Sequence, residues 1–140
     1  MSPELSEKLY EKYPLIFKRK RELTEEEQYD QRKGKGYSVY DFWGIEVGDG
    51  WFRLLEALAK NITEQIEKNN LKNFKVLQIK EKFGGLRFYY KGGNDKIQEY
   101  VDYAEELSMN ICESCGQQGL PQNDSWIKVL CQQCKTRKNY

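Results

Sequence analysis

The sequence predicts an α+β fold: two amphipathic helices packed on an antiparallel β-hairpin or small sheet, with a C-terminal four-cysteine, zinc-ribbon-like lobe. Three observations carry this. Apolar residues recur at helical spacing over about 50–69 and again over about 95–109. Two β-branched and aromatic runs, 74–81 and 86–91, bracket a Gly84-Gly85 pair. Two Cys-x-x-Cys knuckles, Cys112–Cys115 and Cys131–Cys134, close the chain.

Taken in order, residues 2–13 predict a short helix. Ser2 is positioned to cap it and Pro3 occupies the first helical position, where a missing N–H is harmless. Pro14 ends it or opens a turn. Residues 18–36 form a charged stretch in which Thr24 and Glu27 can make a capping box for a helix over 25–32. Its Gly34-Lys35-Gly36 end reads as flexible. Tyr37, Val39, Tyr40, Phe42, Trp43, Ile45 and Val47 predict an extended segment or strand over 37–47.

Gly48-Asp49-Gly50 breaks that segment, and a helix over about 50–69 follows. Trp51, Leu54, Leu55, Leu58, Ile62 and Ile66 line one face, and Asn69-Asn70 is a suitable stop. In the hairpin, the two glycines can supply the positive φ of a tight turn. The helix at about 95–109 has Ile97, Val101, Ala104 and Leu107 as its apolar face, with Ile111 at its exit and Asp95 and Gln98 as a capping box. The organisation is then 1–36, N-terminal helix and charged connector; 37–110, the α+β core; and 111–140, the zinc-ribbon lobe with a basic tail. The ribbon is expected to pack on the last helix of the core.

The cysteines are the only four in the chain, spaced C-x2-C-x15-C-x2-C. That spacing suits one structural Zn2+ per chain on Cys112, Cys115, Cys131 and Cys134, because a two-residue spacer lets both thiolates of a knuckle reach one ion. Disulfides or free thiols are the alternative. Gly116 suits a knuckle turn. Trp126, Ile127, Val129 and Leu130 would cover the second knuckle.

Composition limits the function. Among 140 residues there are 23 basic and 22 acidic side chains, a formal charge of +1. A tetrathiolate zinc contributes about −2, so overall charge argues for no nucleic-acid partner, and only a local patch can. No apolar run is long enough to span a membrane, the N-terminal residues lack a signal-peptide apolar region, and a reducing cytoplasmic setting favours metal over disulfide. Histidine is absent. That excludes Ser-His-Asp and Cys-His hydrolases, His-dependent nucleases and His-ligated catalytic zinc.

Beyond the metal site, Lys80, Lys82, Arg87 and Lys91 cluster on the hairpin among Phe83, Phe88, Tyr89 and Tyr90. Basic groups beside aromatic rings can hold phosphates and stack bases. Arg87 and Tyr89 should share one face, away from Leu86, Phe88 and Tyr90. Asp49 either caps the next helix, with Trp51 as a core anchor, or lines a pocket against the hairpin. A weaker pattern, Gln78-Ile79-Lys80 with Asp49 or Glu81, resembles a degenerate metal-nuclease motif, which needs clustered carboxylates for Mg2+. Lys135, Arg137 and Lys138 form the basic tail.

Gly48-Asp49-Gly50-Trp51-Phe52, the run Gln78 to Tyr89 and the spaced knuckles occur in an order that resembles a family of small uncharacterised proteins of bacteria and their phages. The resemblance covers about residues 40–134. It implies a phage or mobile-element setting, hence host cytoplasm, and a role against host defence. It transfers no activity.

The expectation is a non-enzymatic, zinc-stabilised binding protein. Its ligand site is Asp49, Trp51, Lys80, Lys82, Arg87 and Tyr89, and its ligand a protein or a phosphate-bearing signalling nucleotide. A nucleic-acid-binding ribbon and a divalent-metal-dependent nuclease are the alternatives.

Overall fold

The computed structural model describes residues 1–18, 24–32, 39–122 and 127–138. The fold is α+β. Helix α1 (Pro3–Lys12) is followed by α2 (Glu25–Arg32), α3 (Val39–Trp43) and strand β1 (Ile45–Glu46). A 3-10 turn, Asp49–Trp51, leads into α4 (Phe52–Asn69). Strands β2 (Lys75–Lys82) and β3 (Gly85–Lys91) precede α5 (Asp95–Ser108). The short strands β4 (Leu120–Pro121) and β5 (Val129–Leu130) and helix α6 (Gln132–Lys138) complete the chain. The main sheet runs β1-β2-β3, with β1 parallel and β3 antiparallel to β2, while β4 and β5 pair apart from it.

Local chemistry explains most boundaries. Ser2 Oγ accepts the Leu5 N–H and caps α1. Thr24 and Glu27 exchange side-chain and backbone hydrogen bonds, a complete capping box for α2. Asn70, at φ +50°, ends α4 in the left-handed conformation that asparagine tolerates.

Four expectations need correction. Residues 39–43 are a helix rather than a strand, stopped by Gly44 at φ +65°, and among the described residues of this segment only Ile45–Glu46 pair with β2. The aromatic run lacks the strict alternation of a strand, and Tyr40 is buried with its hydroxyl donating to Lys18 O. Asn94, not Asp95, caps α5: its Oδ1 accepts the Ile97 N–H. The hairpin turn places Phe83 (φ +52°) and Gly84 (φ +85°) in left-handed backbone, whereas Gly85 lies in β3. A left-handed phenylalanine costs about 1–2 kcal/mol. Finally, the cysteine lobe docks on the 48–51 turn and the hairpin, as described below. The Gly34-Lys35-Gly36 end, Tyr37, Trp126 and part of the charged stretch lie outside the described residues.

One core holds these elements together. Leu55, Leu58, Ala59 and Ile62 of α4, Ile97, Val101 and Ala104 of α5, and Val76, Ile79, Leu86 and Phe88 of the sheet are buried in it, joined by Leu9 of α1 and by Tyr13, Ile16 and Phe17 beyond it. A bulge between Val76 and Gln78 lets Val76 and Ile79, three residues apart, both face this core. The register then sends Lys80 with Arg87, and Gln78 with Tyr89, to the opposite face.

The free edge of β3 is closed by α5 side chains. Ser108 Oγ accepts the Leu86 N–H at 2.9 Å and Glu105 Oε2 accepts the Phe88 N–H at 2.9 Å. Ser108 is fully buried. Ser108→Ala strands a buried donor and should cost about 1–3 kcal/mol in urea unfolding. An unchanged midpoint would show that the edge does not need this acceptor.

Candidate metal centre and adjoining surfaces

The first knuckle turns because Gly116, at φ +84°, lets its N–H return to Cys112 O at 2.9 Å. Cys112 N–H donates to Gln117 O at 2.7 Å, closing the loop. In the second knuckle Cys131 precedes α6 and Cys134 lies on it. The four Sγ atoms all lie within 4.8 Å of one another, and Cys115 and Cys131 Sγ are 3.5 Å apart. All four cysteines are free thiols. They are positioned to hold one metal ion with sulfur at every corner, a closed shell that leaves no place for a reacting water. Cys112 and Cys134 are buried and Cys115 is exposed.

Burial raises the Cys112 thiol, but the backbone N–H groups of Cys131, Cys115 and Ser114 outweigh it and bring it down to about 7. Burial pushes Cys134 up to about 12, and the neighbouring sulfurs act in the same direction. A bound cation must displace these thiol protons, so metal affinity falls as pH falls.

Glu113, inside the first knuckle, joins this lobe to the core. Its carbonyl accepts the Gly50 N–H at 2.7 Å and its Oε2 accepts the Gly48 N–H at 2.9 Å. Its own N–H donates to Val129 O at 3.0 Å. Lys128 Nζ stands 3.7 Å from Glu113 Oε1 and 3.3 Å from Glu81 Oε1, and Glu81 Oε2 takes the Gly84 N–H of the hairpin turn at 2.8 Å. Trp51 is fully buried, and its indole N–H donates to Ile111 O at 2.9 Å.

The glycines are required by space. A Cβ on Gly50 would lie 2.1 Å from Cys112 O and 2.6 Å from Glu113 O, and one on Gly48 2.4 Å from Glu113 O. Gly48-Asp49-Gly50-Trp51 is therefore the socket of the metal lobe. Asp49 is exposed between the two glycines and caps neither neighbouring helix with its side chain; its Oδ1 accepts the Ser2 N–H at 2.6 Å.

The expected ligand residues divide into two groups. Lys80, Lys82, Arg87 and Tyr89 share the outer sheet face, and among the described residues no carboxylate forms an ion pair with these three cations. Asp49 and Trp51 make no hydrogen bond or ion pair with that group. Arg87 and Tyr89 do line an open groove of about 510 Å³ beside β3, together with Lys91, Gln98 and Glu105. Gln98 and Glu105 sit in a sequence that reads as an ordinary helix face. Glu113 and Lys128 are equally silent in the sequence, because an isolated charged residue in the cysteine segment looks solvated. For the nuclease motif, Gln78 and Lys80 lie on the outer face while Glu81 is held by Lys128 and Gly84 N–H. Among the described residues, the four cysteines are the sole group of three or more potential ligands placed to share an ion. No described helix is long and apolar enough to cross a membrane.

Gly50→Ala should destabilise the protein by about 3 kcal/mol or more, since both facing atoms are backbone and cannot swing aside. Chelating the metal should release the Gly48 and Gly50 amides to fast hydrogen exchange while the Ile79 and Phe88 amides stay protected. Protection at Gly48 and Gly50 that survives chelation would uncouple the metal from the socket. No family model, curated protein or solved structure matches the chain.

Proposed function

We propose that the chain is a non-enzymatic binding protein, held by one zinc ion, that takes a phosphate-bearing ligand of nucleotide size in the groove beside β3. Zinc is favoured by an all-thiolate donor set. With Zn–S bonds near 2.3 Å, a tetrahedron of sulfurs has edges of about 3.8 Å. The 3.5 Å approach of Cys115 to Cys131 and the 4.8 Å limit across the cluster bracket that edge.

The observation that carries the ligand reading is the groove itself, where Arg87 and Lys91 flank Tyr89 in about 510 Å³. The cations supply paired contacts for phosphate oxygens, and the ring offers a stacking face for a base. Gln98 and Glu105 wall the groove and are held in place by Tyr90 and Asp102 and by the Phe88 N–H, respectively. Tyr89 is 41% exposed, so the stacking face is accessible. In the setting that the motif order resembles, such a protein would act in host cytoplasm by sequestering a signalling nucleotide that host defence depends on.

Native mass spectrometry of protein purified without added metal should show one zinc per chain. A nucleotide panel in thermal-shift and calorimetric titration should then yield a saturable ligand, and Arg87→Ala should weaken it about tenfold or more. Saturable binding that Arg87→Ala leaves intact would refute the groove. Affinity that appears only with single-stranded oligonucleotides and collapses with salt would reassign the face to nucleic acid.

A further inference from the structure

Phe83 is the one described non-glycine residue other than Asn70 with positive φ, and the two differ in kind. Asn70 ends a helix, where asparagine is at home. Phe83 is a bulky ring held in left-handed backbone and left 64% exposed. Asparagine or glycine would occupy this turn position with less strain. Burial does not account for an aromatic ring there, and a strained, exposed residue held by its surroundings points to a role outside the folded chain.

The surroundings hold it firmly. Gly84 N–H is bound by Glu81 Oε2 at 2.8 Å, and Glu81 is in turn held by Lys128. Ile127 abuts Gly84 so closely that a Cβ there would lie 3.0 Å from its Cγ2, and Met109 Sδ would lie 2.9 Å from a Cβ on Gly85. The tip is thus clamped from behind by the metal lobe and the end of α5, while the ring faces out. Ile127, 37% exposed, extends the apolar surface. Lys82 Nζ lies 5.7 Å from the Phe83 ring centre, and Lys80 shares the face of Lys82, neither paired with a carboxylate among the described residues.

We propose that the hairpin tip is a protein-docking anchor: Phe83, with Ile127 beside it, packs against the bulky apolar side chains of an acidic peptide segment on a partner protein. Apolar area supplies the contact, and the lysines select an acidic segment. The inference rests on Phe83 and Lys82, which do not line the groove beside β3, although Arg87 of that groove lies opposite Lys80.

The test pans a random peptide-display library on the metal-loaded protein, with the Phe83→Asn variant as counter-target. Phe83→Asn relieves the backbone, so its melting temperature should hold or rise by about 2–5 °C, which separates lost binding from lost folding. Selected peptides should combine Asp or Glu with bulky apolar residues. In fluorescence anisotropy they should bind the wild type, lose about tenfold or more in Phe83→Asn, weaken in Lys82→Glu, and be unaffected by Tyr89→Ala. Failure to enrich any peptide over the counter-target would overturn the proposal. So would selected peptides without acidic residues, or ones that bind Phe83→Asn equally well.

Discussion

The contact on which the remaining organisation depends is the backbone approach between Gly48–Gly50 and Cys112–Glu113. No Cβ fits between these strands of chain. The contact couples a metal cluster, whose ligands lie after residue 111, to a turn that starts the longest helix more than sixty positions earlier. Glu113 makes the joint two-sided, since its carbonyl and carboxylate face the socket while its N–H binds β5. Trp51 secures the same joint from within the core, its ring buried and its one polar atom satisfied by Ile111 O. Metal binding to such thiols is folding energy for the segment that carries them, and here that segment ends on the core.

From this joint the Lys128 bridge reaches the hairpin. Lys128 spans Glu113 and Glu81, with both carboxylate side chains largely buried and the lysine partly so. A shared cation between two sheltered carboxylates gives little net stability, yet it fixes geometry, because removing Lys128 leaves both carboxylates without this cation. The hairpin is also tied along β3 by Ser108 and Glu105. These ties use up the edge that would otherwise invite another strand. They also bring α5 polar side chains into the groove, so the device that closes the sheet and the groove wall are partly the same residues.

The sequence and the structure agree where a single physical signal dominates. The stripes of α4 and α5, the Thr24–Glu27 box, the knuckle spacing and the opposed facing of Arg87 and Phe88 each follow from one periodicity or one ligand geometry. Disagreement appears where two signals compete. Residues 39–43 have strand-like composition, but Gly44 can end a helix and the core takes Tyr40 and Ile45 on a helical approach. Phe83 precedes two glycines, and the natural expectation gives the positive φ to both of them; the register instead puts Gly85 in the strand, where Met109 Sδ and Arg87 Nη1 crowd the Cβ position. Helix α6 is not legible as a helix, because six polar residues around Cys134 carry no apolar stripe and the sequence shows there only the end of a knuckle and a basic tail. The role of Glu113 is illegible in one dimension, since its partners Gly48 and Gly50 are brought to it only by folding.

Toward the rest of the fold the four-cysteine lobe acts as a buttress. Cys112, Leu130 and Cys134 form a small hydrophobic cluster of their own, and a metal bound there would supply folding energy that so small a cluster lacks. What the lobe contributes to the core is position. It seats Glu113 in the socket, places Lys128 on Glu81, and sets Ile127 against Gly84 at the hairpin tip. The last two restrain the turn that carries Phe83, one through Glu81 and the Gly84 N–H and the other directly at Gly84. A hairpin with one covered face would otherwise fray at its tip, where backbone strain is greatest. The closed coordination shell fits this role, because an ion with no open position contributes rigidity in place of chemistry.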